Sequence, residues 1–155
     1  MLTRGAFIVA VCLAFVAAEQ VQFQYCSTRG QEQCEISDVH IDPCAEAEKN
    51  EPCKLKLGKS AGISFKYKAN WDQGENDLKT RAYWASVLDI PFLGMKTDGC
   101  SMTSCPVKKD QLGQYNFTLD ISDKFLPKRY NVKFKLWEDN VEDHACCLLV
   151  KLKLV

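Results

Sequence analysis

The stretch Ile63-Ser64-Phe65-Lys66-Tyr67-Lys68-Ala69-Asn70 alternates apolar and polar side chains without a break. A period of two sends alternate side chains to opposite faces of an extended strand, whereas a helix would scatter them around its axis. One face here is aliphatic and aromatic, and the other carries serine, lysine and asparagine. That is a strand with one buried and one solvated face. The pattern recurs along the chain. Val21, Phe23 and Tyr25 alternate with glutamines, and Tyr115, Phe117, Leu119 and Ile121 with Asn116, Thr118 and Asp120. Val132, Phe134 and Leu136 alternate with Asn131, Lys133 and Lys135, and Val150, Leu152 and Leu154 with Lys151 and Lys153.

Two further runs, 35–41 and 80–90, are rich in β-branched and aromatic residues with weaker alternation, and each reads as one more strand. Turn signals separate the runs, among them Asp42-Pro43, Gln73-Gly74, Asp98-Gly99 and Leu126-Pro127. No stretch shows the period of a long amphipathic helix, and no internal repeat or linker is visible. Roughly seven or eight strands, each apolar on one face, predict an all-β sandwich of two antiparallel sheets.

Composition narrows the function. The 155 residues are 46% hydrophobic, and 20 basic side chains balance 20 acidic ones. Zero net charge excludes the basic field that a nucleic-acid binder needs. Residues 1–18 read as a secretory signal: Arg4 precedes an apolar run from Ala6 to Val16, and Ala17-Ala18 offers a small-residue cleavage site. The run is too short to span a bilayer. On that reading one domain occupies 19–155. Cys12 leaves with the signal, and eight of the nine cysteines remain. An even number in a secreted chain implies disulfides, and no pair shows the two-residue gap of a zinc knuckle.

Catalytic signatures are missing. The sequence holds two histidines, His40 on the polar parity of a strand and His144 in an acidic turn, and both read as solvent-facing. No nucleophile elbow, phosphate-cradling glycine loop or paired-histidine metal motif occurs. The expectation is a non-enzyme without a cofactor. Asn116-Phe117-Thr118 is a glycosylation sequon whose asparagine falls on the solvated parity. Lys66, Lys68, Lys133, Lys135, Lys151 and Lys153 also take outward parity. They read as solvated faces and protected edges, with transient docking on an anionic membrane as the sharper alternative.

An ordered set of landmarks spans the chain: Val21-Gln22-Phe23 before Cys26, Asp42-Pro43-Cys44, Cys53, and Ile90-Pro91-Phe92 before Asp98-Gly99-Cys100. Cys105-Pro106-Val107-Lys108-Lys109-Asp110 and a late Cys146-Cys147 complete it. This order resembles the ML lipid-recognition domain family, and within it the insect-like soluble sterol-transfer branch. The resemblance implies an immunoglobulin-like sandwich with a hydrophobic tunnel between its sheets. It implies three disulfides: Cys44 with Cys53, Cys100 with Cys105, and Cys26 with one of the late pair. Strand parity favours Cys147 for that bridge, while an ungapped count favours Cys146. Cys34 and the remaining late cysteine have no family counterpart and are read as a fourth bridge.

Three tunnel positions carry over from the resemblance, Phe92, Ile121 and Phe125, the last replacing a tyrosine of vertebrate relatives. Phe65, Tyr67, Leu119 and Phe134 either line the tunnel or fill the core. The implied function is a monomeric secreted carrier of a sterol or similar apolar lipid, working outside the cell or in the lysosomal lumen. Recognition of microbial lipids and carriage of small semiochemicals are the alternatives that the same family offers.

Overall fold

A computed structural model describes residues 20–155; the leader expected at 1–18 lies outside the described residues. Among the described residues nine strands form two layers. They are β1 (Phe23–Tyr25), β2 (Cys34–Asp42), β3 (Cys53–Leu55), β4 (Ser60–Ala69), β5 (Leu78–Trp84), β6 (Ile90–Pro91), β7 (Leu112–Asp120), β8 (Arg129–Glu138) and β9 (Ala145–Leu154). One sheet has the order β2-β4-β7, and the other has the order β1-β9-β8-β5-β6. All these pairings are antiparallel; β3 alone runs parallel to β9, beyond the part of β9 that pairs with β1. Among the described residues helix is confined to a single turn at Gly30–Gln33 and two 3-10 turns. Among the described residues no helix is long and apolar enough to cross a membrane.

The inward residues of β4, from Ala61 through Ala69, are each no more than 2% exposed, because β4 is the central strand of its sheet. They meet Ala82, Val132, Phe134, Leu136 and Leu148 of the larger sheet in one contiguous core. Polar groups cross this core too. The Thr80 hydroxyl donates to the Lys135 carbonyl at 3.0 Å, which commits its single hydrogen. The Tyr115 hydroxyl therefore donates to Thr80 Oγ1 at 2.8 Å, joining β7 to β5 across the interior. Burial pushes the Tyr115 phenol up to about 12, although the bond to Thr80 pulls the other way.

One strand reading needs correction, and another gains a reason for its weak alternation. The run at 80–90 is not one strand. β5 stops at Trp84, the chain turns, and Ile90–Pro91 folds back against Tyr83–Trp84. Ser86 Oγ caps the turn on the Leu88 carbonyl at 2.6 Å, and Val87 and Leu88 point into solvent. The run at 35–41 is one strand, but a register shift between Ser37 and His40 breaks its alternation. Asp38 sits there at φ 48°, a left-handed conformation that its short polar side chain tolerates, and its carboxylate meets Lys66 Nζ at 2.7 Å. Ile36 and Val39, three apart, consequently both face the core.

The sulfurs pair as Cys26–Cys147, Cys34–Cys146, Cys44–Cys53 and Cys100–Cys105. Cys34 and Cys146 are fully buried on facing sheets, so their bridge staples the two layers.

Candidate functional site

At the end of the sandwich away from that staple, a cleft of about 760 Å³ opens around the β7 edge. The apolar part of its wall comes from Ile63 of β4, Phe117 and Leu119 of β7, Phe92 and Met95 of the loop after β6, and Phe125. Each reaches the cleft for a local reason. Phe117 has inward parity, but β7 is an edge strand, so its ring stays half-exposed at the rim. Phe92 is held by its N–H bond to the Ala82 carbonyl at 2.9 Å, and the Met95 sulfur accepts from the Ala82 N–H. Gly94, at φ 79°, supplies the left-handed turn between them.

Behind the cleft sits an aromatic cluster. Trp84 lies 4.1 Å from Phe92, 5.0 Å from Phe125 and 4.5 Å from Tyr130, measured between ring centroids. The Phe92 and Phe125 rings are 6.5 Å apart and both line the cleft. Leu93 and Leu126, each next to one of these rings in sequence, are exposed, as are Val87 and Leu88 of the turn before β6 and Ile90 of β6 itself. Of these, Leu93 borders the cleft.

The candidate residues named from sequence separate into two groups. Phe92, Leu119 and Phe125 line the cleft, whereas Phe65, Tyr67, Phe134 and Ile121 do not. Phe65 stacks on Tyr115 at 4.6 Å in the next row of the sheet and closes the interior there. Tyr67 is pinned by a 2.9 Å hydrogen bond to Thr103 and by the bare Cα of Gly113, where a Cβ would stand 2.3 Å from its ring. Phe134 is a core residue at 1% exposure. Ile121 is buried, and its backbone is committed to the turn at 58–59. The cleft thus lies at one end of the sandwich, and Phe65 and Tyr115 stack in the row beyond it. Trp84, Met95 and Phe117 were not singled out from sequence. Met95 lies in a loop without periodicity, and nothing in the chain's pattern marked it.

The two histidines are also placed differently from the sequence reading. His40 is half-buried on the cleft's outer wall, with Nδ1 buried and unpartnered. His144 stacks on Trp71 at 4.9 Å and its Nδ1 lies 2.7 Å from Glu138 Oε2. Glu138, 1% exposed, also accepts the Gly74 N–H at 2.9 Å and two weaker bonds from Asn76. Burial pushes its carboxyl up, but the His144, Gly74 and Asn76 hydrogen bonds outweigh burial and hold it below the usual carboxylate range. An ionised carboxylate only accepts, so Nδ1 carries the hydrogen. This is a structural knot joining the 74–76 and 138–144 turns, remote from the cleft. Among the described residues no group of three or more His, Cys, Asp or Glu could hold a metal ion.

A two-layer sandwich with an apolar cleft at one end and this cysteine frame defines a class, and the comparisons agree with it. The ML domain matches residues 20–154. The chain belongs to the ML domain family. Among its relatives, an MD-2-related lipid-recognition protein of Manduca sexta is 30% identical over 140 residues, covering 90% of this chain and 88% of the relative. The NPC intracellular cholesterol transporter 2 of Mus musculus is 26% identical, covering 86% and 87%. The crystal structure of a Niemann-Pick type C2 protein from the Japanese carpenter ant superposes with a TM-score of 0.71 at 20% identity, covering 86% of this chain and 99% of that one, which shows a shared fold.

Proposed function

We propose that this protein is a secreted carrier that holds a sterol or similarly sized apolar lipid in the β7-edge cleft and passes it on. The observation that carries this reading is the apolar side of the β7-edge cavity, where Phe92, Phe125, Ile63, Phe117 and Leu119 converge. The side of the cavity that faces the sheet interior is walled by apolar side chains, so shape and burial set its selectivity. A ligand burying roughly 500 Å² of apolar surface gains on the order of 12 kcal/mol before association costs are subtracted. That is enough for micromolar to nanomolar binding. The names of the cholesterol transporter and the lipid-recognition protein support the ligand class. Four disulfides fit folding in an oxidising compartment and hence a secreted or lysosomal destination. Exposed Leu93, which borders the cleft, suits brief contact with a bilayer during transfer.

Titration with a fluorescent sterol, read through both the probe and tryptophan emission, tests the proposal. Trp84 touches both gate rings, so filling the cleft changes its emission. Absence of any response to sterols, fatty acids and phospholipids, with no rise in melting temperature, would refute it. The 30% identity to a lipid-recognition protein favours a second reading, in which a microbial lipid is the ligand. Native mass spectrometry of protein from its own tissue separates the two by the mass of the bound molecule.

A further inference from the structure

We propose that Asn116 carries an N-linked glycan whose innermost N-acetylglucosamine lies in a trough on the outer face of the β2-β4-β7 sheet, making carbohydrate part of the cleft's outer wall. The register builds the trough. Asn116 pairs with Ser64, which pairs with His40, while Thr118 pairs with Gly62 and Gly62 with Asp42. Two adjacent rows therefore run across three strands with the small residues Gly62 and Ser64 in the middle. His40 and Asp42 stand on one side and Asn116 and Thr118 on the other, two strand spacings or about 10 Å away. These six residues all border the cavity that continues round β7 into the apolar cleft.

The chemistry of the trough suits a sugar. Its floor and walls present a hydroxyl, a carboxylate, an imidazole and bare backbone rather than aliphatic bulk, and Asp120 adds a second carboxylate at its end. Asn116 is exposed, and its backbone N–H is tied to the Met102 carbonyl at 2.9 Å, which fixes the strand from which the side chain leaves. Thr118 supplies the hydroxyl residue of the sequon and is exposed on the same face. The four disulfides place folding in the oxidising compartment where such glycans are added. Carbohydrate here would also cover β7, an edge strand of nine residues, against pairing with another chain.

The test uses the full chain secreted from insect cells. Peptide mapping by mass spectrometry finds an oligosaccharide on Asn116, absent from Asn116→Gln and from Thr118→Ala. Peptide-N-glycosidase then releases it from the native protein at least tenfold more slowly than from the unfolded protein. Gly62→Val fills the trough, and its Cβ meets nothing closer than the Asp42 carbonyl at 3.9 Å, so the backbone accepts it. Release from native Gly62→Val approaches the unfolded rate, with an unchanged melting temperature showing that the variant is folded. An unmodified Asn116 overturns the proposal. So does release from the native protein as fast as from the unfolded one, or a release rate that Gly62→Val leaves unchanged. None of these readouts depends on lipid binding.

Discussion

Cys146 and Cys147 are consecutive in β9 yet bridge in opposite directions. Cys146 reaches across the interior to Cys34 on the facing sheet, and Cys147 reaches along its own sheet to Cys26, which follows β1. The alternation of a strand makes this possible, since neighbours point to opposite faces. The two bridges are nested, with sequence separations of 121 and 112.

Nesting decides what the inner bridge contributes. Alone it would close a long loop, worth on the order of 4–5 kcal/mol by chain entropy. With Cys26–Cys147 already formed, it closes a ring of roughly ten residues, worth about 2–3 kcal/mol. The paired substitution Cys34→Ala, Cys146→Ala should lower the melting temperature by roughly 7–10 °C in calorimetry. Breaking the Cys26–Cys147 bridge by the corresponding alanine pair should cost a similar amount, and removing both bridges clearly more than the sum of the two.

Glu138 should impose an acid limit on stability. Its folded-state ionisation lies below the ordinary carboxylate value, so its contribution is present above about pH 4.5 and is lost as pH falls through the folded value. Glu138→Gln should be destabilised by about 1–3 kcal/mol at neutral pH and should lack that part of the acid decline. Urea unfolding between pH 3 and 7 reads both effects, and parallel pH curves for the two proteins would refute the assignment.

The separation of cleft from core predicts two different phenotypes. Phe92→Ala should weaken sterol-probe binding by about 10- to 100-fold, because a ring's worth of apolar contact leaves the mouth. Phe134→Leu should lower the melting temperature while leaving affinity within about threefold. Titration and thermal unfolding of the same samples check the split.

Gly113 leaves room for Tyr67 and for nothing else. A methyl group there would stand 2.3 Å from Tyr67 Cζ, so Gly113→Ala must push the ring away and break its bond to Thr103. The expected cost is about 1–3 kcal/mol. Gly113→Ala combined with Tyr67→Leu should recover part of it, which a double-mutant cycle would show.

Much of the fold was legible because β4 is a central strand: alternation at 63–70 maps directly onto one buried face. Legibility failed where backbone geometry departs from the plain pleat. The bulge at Asp38 blurred β2, and the turn after Trp84 lay hidden inside an apolar run. β3 is too short for any periodicity to register. Glu138 looked like part of an acidic surface turn, since the Gly74 and Asn76 groups that bury it lie more than sixty residues away in sequence. The cleft was partly legible for the same reason as the core. Inward parity marks Leu119 and Phe134 alike, and what separates them is how near each lies to the β7 edge.

The nested bridges have a consequence for proteolysis. The loop holding Val87 is the natural place for a protease to cut, being fully exposed. A cut there would part the polypeptide but not the molecule, because Cys26–Cys147 and Cys34–Cys146 both tie one fragment to the other. The nicked product would still migrate as one species on a gel without reductant, and its strands would have nowhere to go.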